Sequence, residues 1–194
     1  MNPRQRGHLA ALAFLLSFAA SAAEPTAPPL ADAPQLSGAQ AFADGAGGVV
    51  LVLLVSNHQR DKVSDSSEAW DASLVRVGDG ARIRLLDATK PAVHALPAGR
   101  YWLASVRSRG GRVLSGIGTP ERWFEVAAGR IGYAGRWQVT STIELDLQSS
   151  IKTEVSFPRE PLAALATDPA GPLARYGFAL APVGKPLQAI EAKK

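Results

Sequence analysis

Residues 142–157 read TIELDLQSSIKTEVSF. Ile143, Leu145 and Leu147 alternate with Glu144 and Asp146. Ile151, Thr153, Val155 and Phe157 then alternate with Lys152, Glu154 and Ser156. Period-two alternation marks a strand with one face in a core and the other in water. The spacing predicts a hairpin that turns near residues 148–150. Opposite charges on its polar face would pair across the strands, each pair contributing roughly 0.2–1 kcal/mol.

The same signature recurs upstream. In ARIRLL (81–86), Ala81, Ile83 and Leu85 face one way and Arg82 and Arg84 the other. SLVRV (73–77) precedes it across GDG (78–80), a tight-turn sequence. RYWLASVRS (100–108) and RVLSG (112–116) flank RGG, where Gly110-Gly111 suits a type I′ turn with φ > 0 at both residues. Alternation puts Tyr101, Leu103 and Ser105 on one face of that strand and Trp102, Ala104 and Val106 on the other. VVLVLLVS (49–56) is apolar on both faces, as a central or sandwiched strand would be.

The triplet AGR occurs at 98–100, 128–130 and 134–136. The first two lead into strands through glycine turns, and the third lies inside a strand. There Ile131, Tyr133, Gly135, Trp137 and Val139 share a face expected in the core, with a bulge suggested at Gly135.

These segments predict an all-β chain, an antiparallel β-sandwich of about seven to nine short strands. One short helix is expected near residues 159–167, with Leu162, Leu165 and Ala166 at helical spacing. Tyr176, Phe178 and Leu180 are expected to pack back on the domain. The expected organisation is a signal peptide at 1–23, a flexible Ala/Pro/Gly leader at 24–47, the sandwich domain at 48–182 and a frayed tail at 183–194.

Arg4 and Arg6 precede an apolar run from Leu9 to Ala20, and small residues follow. The run is shorter than the ~20 residues of a membrane-spanning helix and reads as a cleavable secretory signal. The chain is therefore expected in the periplasm or the medium, with no membrane-spanning helix after cleavage. There is no cysteine, which excludes a lipid-anchored cysteine, disulfides and thiol chemistry. Without Arg4 and Arg6, 19 of the 21 basic groups face 17 acidic ones, a net charge of about +2 that does not call for nucleic acid.

Chemistry-bearing motifs are few. His58 and His94 are the histidines beyond the signal, and neither adjoins a G-x-S-x-G nucleophile sequence. Glu144 and Asp146 sit two apart on a strand, as any solvent face would place them. In the loop at 57–71, His58, Asp61, Asp65, Glu68 and Asp71 offer donors to a hard cation, but in no EF-hand spacing. Seven arginines between residues 99 and 140 meet only Glu121 and Glu125, and Arg107, Arg109 and Arg112 crowd one turn. Guanidinium forks suit phosphate and carboxylate oxygens.

LPAGRYWLASV (96–106) and RWFEVAAGRIGYAGRWQV (122–139) together resemble a pattern of exported bacterial β-sandwich modules. There, L-P-x-G-x-Y opens one strand and F-x-V-x-x-G-x-x-x-Y-x-G another. Transthyretin-like and carboxypeptidase-regulatory-like modules are similar, as are uncharacterised envelope families. The resemblance implies a secreted sandwich without a known reaction.

The expected function is therefore a non-catalytic exported module, without a cofactor, that binds an envelope protein or an anionic envelope polymer through Arg107, Arg109 and Arg112. The alternatives are a metal-dependent or hydrolytic enzyme built on the 57–71 loop, and a purely structural accessory domain.

Overall fold

The computed structural model describes residues 30–38, 40–59, 62–143, 149–184 and 190–193. They form an all-β sandwich of two packed sheets with two short helices. Fourteen strands run in chain order: β1 (Ala31–Asp32), β2 (Gln35–Leu36), β3 (Ala46–Gln59), β4 (Lys62–Asp65), β5 (Trp70–Arg76), β6 (Arg82–Leu85), β7 (Val93–Pro97), β8 (Gly99–Ser108), β9 (Val113–Ser115), β10 (Phe124–Val126), β11 (Ile131–Ile143), β12 (Ser149–Ser156), β13 (Ala179–Leu180) and β14 (Ile190–Lys193). Helices α1 (Glu160–Ala166) and α2 (Pro172–Tyr176) lie between β12 and β13.

The local hairpins form as their patterns require. β5 and β6 pair antiparallel across the GDG turn, with Ile83 and Leu85 buried. In that turn Asp79 accepts from the Arg76 guanidinium and from the Ala81 N–H, which together hold its carboxyl down at about 2. β11 and β12 pair antiparallel from Arg136↔Ser156 to Ile143↔Ser149. Ser149 and Ser150, expected in the turn, already belong to β12. Glu144, Leu145, Asp146 and Leu147 lie outside the described residues.

The sheets are mixed rather than purely antiparallel. β3 runs parallel to β11 over twelve register pairs, from Gly48↔Ile131 to Gln59↔Ile143. Parallel neighbours need a long crossover. Here residues 60–130 provide it, and they build most of the six-stranded sheet of β1, β6, β5, β8, β10 and β9. The eight-stranded sheet orders β14-β12-β11-β3-β7-β2, with β4 on β3 and β13 on β11. β3 is central, as its two apolar faces predict. Val49, Leu51, Leu53 and Val55 face the core between the sheets, and Val50 enters a second cluster on the opposite face. Val93, Ile131, Tyr133, Leu162 and Leu173 complete that second cluster under the helices.

Two bulges change the faces expected from strict alternation. In β8, Ser105 pairs with Ser73 and Leu103 with Leu74, so Ala104 is the extra residue. Tyr101, Leu103 and Val106 then point inward, and Ser105 does not. In β11, Tyr133 pairs with Val50 and Gly135 with Leu51, which leaves Ala134 over. Gly135 takes φ +93°, a conformation that L side chains rarely adopt. The bulge sends Ile131 and Tyr133 to the helix-covered face and Trp137 and Val139 to the inner core. The aromatic residues expected on one face therefore lie on opposite sides of the sheet. The Ala134 carbonyl accepts a 3.0 Å bond from the Trp137 indole N–H.

Part of the stretch expected as a flexible leader, 24–47, already belongs to the sandwich. β1 pairs with β6, β2 pairs with β7, and Ala33 is buried in the main core. The Phe42 and Tyr176 rings pack at a 40° tilt with centroids 4.5 Å apart. A few apolar side chains suffice to dock this Ala/Pro/Gly-rich stretch. The expected frayed tail also pairs: Val183 bridges Phe124, and β14 pairs with β12. The segment after β13 stitches the two sheets together, through Ala181 N–H to the Tyr133 carbonyl and Glu125 N–H to the Pro182 carbonyl.

The helix expected at 159–167 is α1, with Leu162 buried and Leu165 half-buried. α2 has no counterpart in the expected elements. It starts on Pro172, whose missing N–H is harmless at a helix entry. Among the described residues, no helix is long and apolar enough to cross a membrane.

Gly135→Ala should destabilise the fold by about 2 kcal/mol or more, through backbone strain and crowding. A Cβ there would lie 2.8 Å from the Ser156 carbonyl oxygen and 2.9 Å from Val155 Cγ1. Urea unfolding of the variant measures the loss.

His94, expected at a loop or strand edge, lies in β7 opposite Val49, fully buried, because β2 covers the outer side of β7. Among the described residues, neither ring nitrogen has a hydrogen-bond partner. Burial lowers its pKa from 6.5 to about 4, against a smaller opposing effect of the Ala33 backbone. The unfolded chain therefore binds this proton first. The stability of the neutral ring is complete above pH 6.5 and is lost as pH falls toward 4. That loss should reach about 3 kcal/mol by the lower end of the window. His94→Leu should remove most of the difference between urea titrations at about pH 7 and about pH 4.5.

Candidate functional site

The arginine turn joins β8 to β9. Ser108 N–H donates to the Arg112 carbonyl at 2.8 Å, and Gly111 N–H to the Ser108 carbonyl at 3.0 Å. Gly111 alone has positive φ, at +90°, and Gly110 does not. The loop is thus a type I turn closed by one left-handed residue, rather than the expected type I′ pair.

The three arginines part company there. Arg107 is exposed between the buried Val106 and Ser108 and stands opposite Asp71 in the β5–β8 register. Arg109 is exposed in the turn, near enough to Asp87 to help lower its pKa behind the larger effect of Lys90. Arg112 reaches the other sheet, donating to Asn57 Oδ1 at 2.5 Å and to Ser141 Oγ at 3.1 Å. It ties β3 and β11 to the β8–β9 hairpin at one end of the sandwich. The fork expected to hold an anion is occupied by the protein itself.

The 57–71 segment is a strand pair more than a loop. Asn57, His58 and Gln59 belong to β3 and face β4 in antiparallel register. Asp65 accepts from the buried Ser56 hydroxyl at 2.7 Å, and Asp71 accepts from the Asp87 N–H at 2.9 Å. Arg60 and Asp61 lie outside the described residues. Among the described residues, no three His, Cys, Asp or Glu side chains gather where they could hold a metal ion.

A different place gathers exposed apolar surface. β12 pairs with β11 only as far as Arg136, and β13 takes its place beside Gly132 and Tyr133. Between these partners, on the helix-covered face, lies a groove of about 540 Å³. Tyr133 belongs to the lining, with Phe157, Pro158 and Arg159 where the chain leaves β12, Leu162, Ala163 and Ala166 on α1, and Phe178 and Leu180 around β13. Phe157 is 42%, Phe178 52% and Leu180 62% exposed. Phe157 sits edge-on to Tyr133 with centroids 6.0 Å apart. It does not continue the inward face of β12, because Pro158 ends the strand behind it. The Tyr133 hydroxyl is buried without a hydrogen-bond partner among the described residues. Burial raises its pKa; Arg136 works against the shift and Glu160 with it.

None of these lining residues was singled out as a binding residue in the sequence. Tyr133, Phe157, Phe178 and Leu180 all read as packing residues. The available signal was Phe157-Pro158, an aromatic side chain at a forced strand end, followed by alanines three apart on a helix.

The chain matches no protein-family model, no curated protein and no solved structure. The chemistry of the groove and of the arginine turn therefore rests on geometry alone.

Arg112→Ala should lower stability by about 1–2 kcal/mol, since two charge-assisted bonds between the sheets are lost. Arg107→Ser and Arg109→Ser should each change it by less than about 0.5 kcal/mol. Thermal unfolding of the three single variants separates the structural arginine from the surface pair.

Proposed function

We propose that the chain is an exported, non-catalytic binding module whose ligand site is the groove between α1 and β13. The observation that carries this reading is the convergence of three exposed large apolar side chains, Phe157, Phe178 and Leu180, on one concavity. A volume of about 540 Å³ falls among small-molecule sites, which span about 300–1,000 Å³ and are mostly apolar with a few placed polar groups. Scattered exposed apolar residues are ordinary, whereas clustered ones mark interaction sites.

The lining of the groove supports a non-catalytic role. Tyr133 and Arg159 are the groove's ionisable residues, and no nucleophile–base pair accompanies them. His94 and His58 lie elsewhere, His94 in the core and His58 on the β3–β4 pair. Export follows from Arg4 and Arg6 before the apolar run at 9–20. The exposed Arg107 and Arg109 remain available to an anionic surface, with Arg112 committed to the fold.

A neutral apolar dye such as N-phenyl-1-naphthylamine should bind the full chain saturably at one site. Ala163→Trp, which fills the groove from an exposed helix position, should abolish the fluorescence rise while circular dichroism and thermal unfolding stay close to the parent. Equal dye binding by parent and variant would sink the reading.

A further inference from the structure

We propose that the groove takes a single free hydrocarbon chain bearing an anionic head group, a long-chain carboxylate, with the Tyr133 hydroxyl and the Arg159 guanidinium as its two polar anchors. The inference rests on the binding-module reading above and names its ligand class.

Three properties of the lining select this chemistry. The walls are apolar: Phe157, Pro158, Leu162, Phe178 and Leu180 offer no side-chain hydrogen bond. A peptide would bring backbone donors and acceptors that such walls leave unpaired, and a hydrocarbon chain brings none. The groove also has width for a chain, because Ala163 and Ala166 lie three apart on the same face of α1.

The remaining lining groups are polar and complementary to an anion. The Tyr133 residue is 1% exposed, and its hydroxyl has no partner among the described residues. A buried hydroxyl without a partner is unfavourable, and a ligand oxygen would relieve it. Arg159 is the charged residue of the lining; it is exposed, and its side chain makes no hydrogen bond or ion pair among the described residues. Arg136 and Glu160 both act on the Tyr133 hydroxyl. With Arg159 they give this region two positive charges against one negative. A carboxylate can accept from a phenol and a guanidinium together. A cationic head group would meet two arginines against the single carboxylate of Glu160.

Displacement of the neutral dye from the full chain tests the proposal, with dodecanoate, dodecanol and dodecyltrimethylammonium each kept below its micelle concentration. Dodecanoate should displace the dye one-for-one, and dodecyltrimethylammonium should be at least about 10-fold weaker. Arg159→Ser should lower dodecanoate affinity about 10-fold and leave dodecanol within about twofold. Tyr133→Phe should also weaken dodecanoate without lowering the thermal transition, since it removes an unpartnered hydroxyl. If the dye binds but the three head groups compete equally, or Arg159→Ser leaves dodecanoate unchanged, the ligand class is wrong and the groove stands. If the dye does not bind, the groove reading itself falls, and this inference with it. Anionic phosphatidylglycerol vesicles supply the last arm. Binding to them that Ala163→Trp leaves intact, without dodecanoate displacement, would assign the surface to a membrane and overturn the proposal.

Discussion

The parallel pairing of β3 with β11 organises the rest of the molecule. It is the longest register in the fold and joins segments about eighty residues apart in sequence. Because the partners are parallel, everything between them must leave the sheet and return, and that excursion becomes the facing sheet. β3 presents apolar side chains on both faces, so its sheet needs cover on both. The six-stranded sheet covers one face, and α1 and α2, with Phe42, cover part of the other. The bulge in β11 then assigns Tyr133 and Trp137 to different layers. Without Gly135 at φ +93°, alternation would send both rings to the same side, and the groove would lose its floor.

The two sheets are joined by more than apolar contact. At one end Arg112 crosses from the β8–β9 hairpin to Asn57 and Ser141. Along one side, residues 179–184 pair first with Tyr133 and then with Phe124 and Glu125, closing the gap between β11 and β10. Both ties use groups that would otherwise be unsatisfied where the strands run out. The side strap also brings Phe178 and Leu180 to the groove. A segment that seals the core thus builds a wall of the candidate site.

The sandwich was legible in the sequence because its hairpins are local. The pairs β5–β6, β8–β9 and β11–β12 each join neighbours through a turn, and period-two alternation exposes them. The β3–β11 register was not legible, since no short-range pattern encodes a partner about eighty residues away. Gly135 gave a signal for the bulge, but its consequence, the exchange of faces, depends on which pairs form on either side. The Ala/Pro/Gly stretch before residue 48 read as a leader on composition, yet Ala33, Leu36 and Phe42 each find a packing partner. Arg112 is indistinguishable in sequence from Arg107 and Arg109. Only the reach to Asn57 and Ser141 separates it. The groove was least legible, because each lining residue taken singly looks like core.

The openness of the groove is not imposed by the fold. Helix α1 already covers the sheet through Leu162, and its exposed positions 163 and 166 are alanines. Leucine there would retain nearly the same helix propensity and would fill the space with apolar contact. Likewise, phenylalanine at 133 would remove an unpartnered buried hydroxyl whose desolvation costs about 1–3 kcal/mol. A sequence shaped by stability alone would be expected to close this place. Instead three large apolar side chains stay exposed around a buried donor, and an exposed arginine stands beside it. Several independent departures from the stable choice coincide within one concavity. That coincidence is what supports the proposed binding role of the groove.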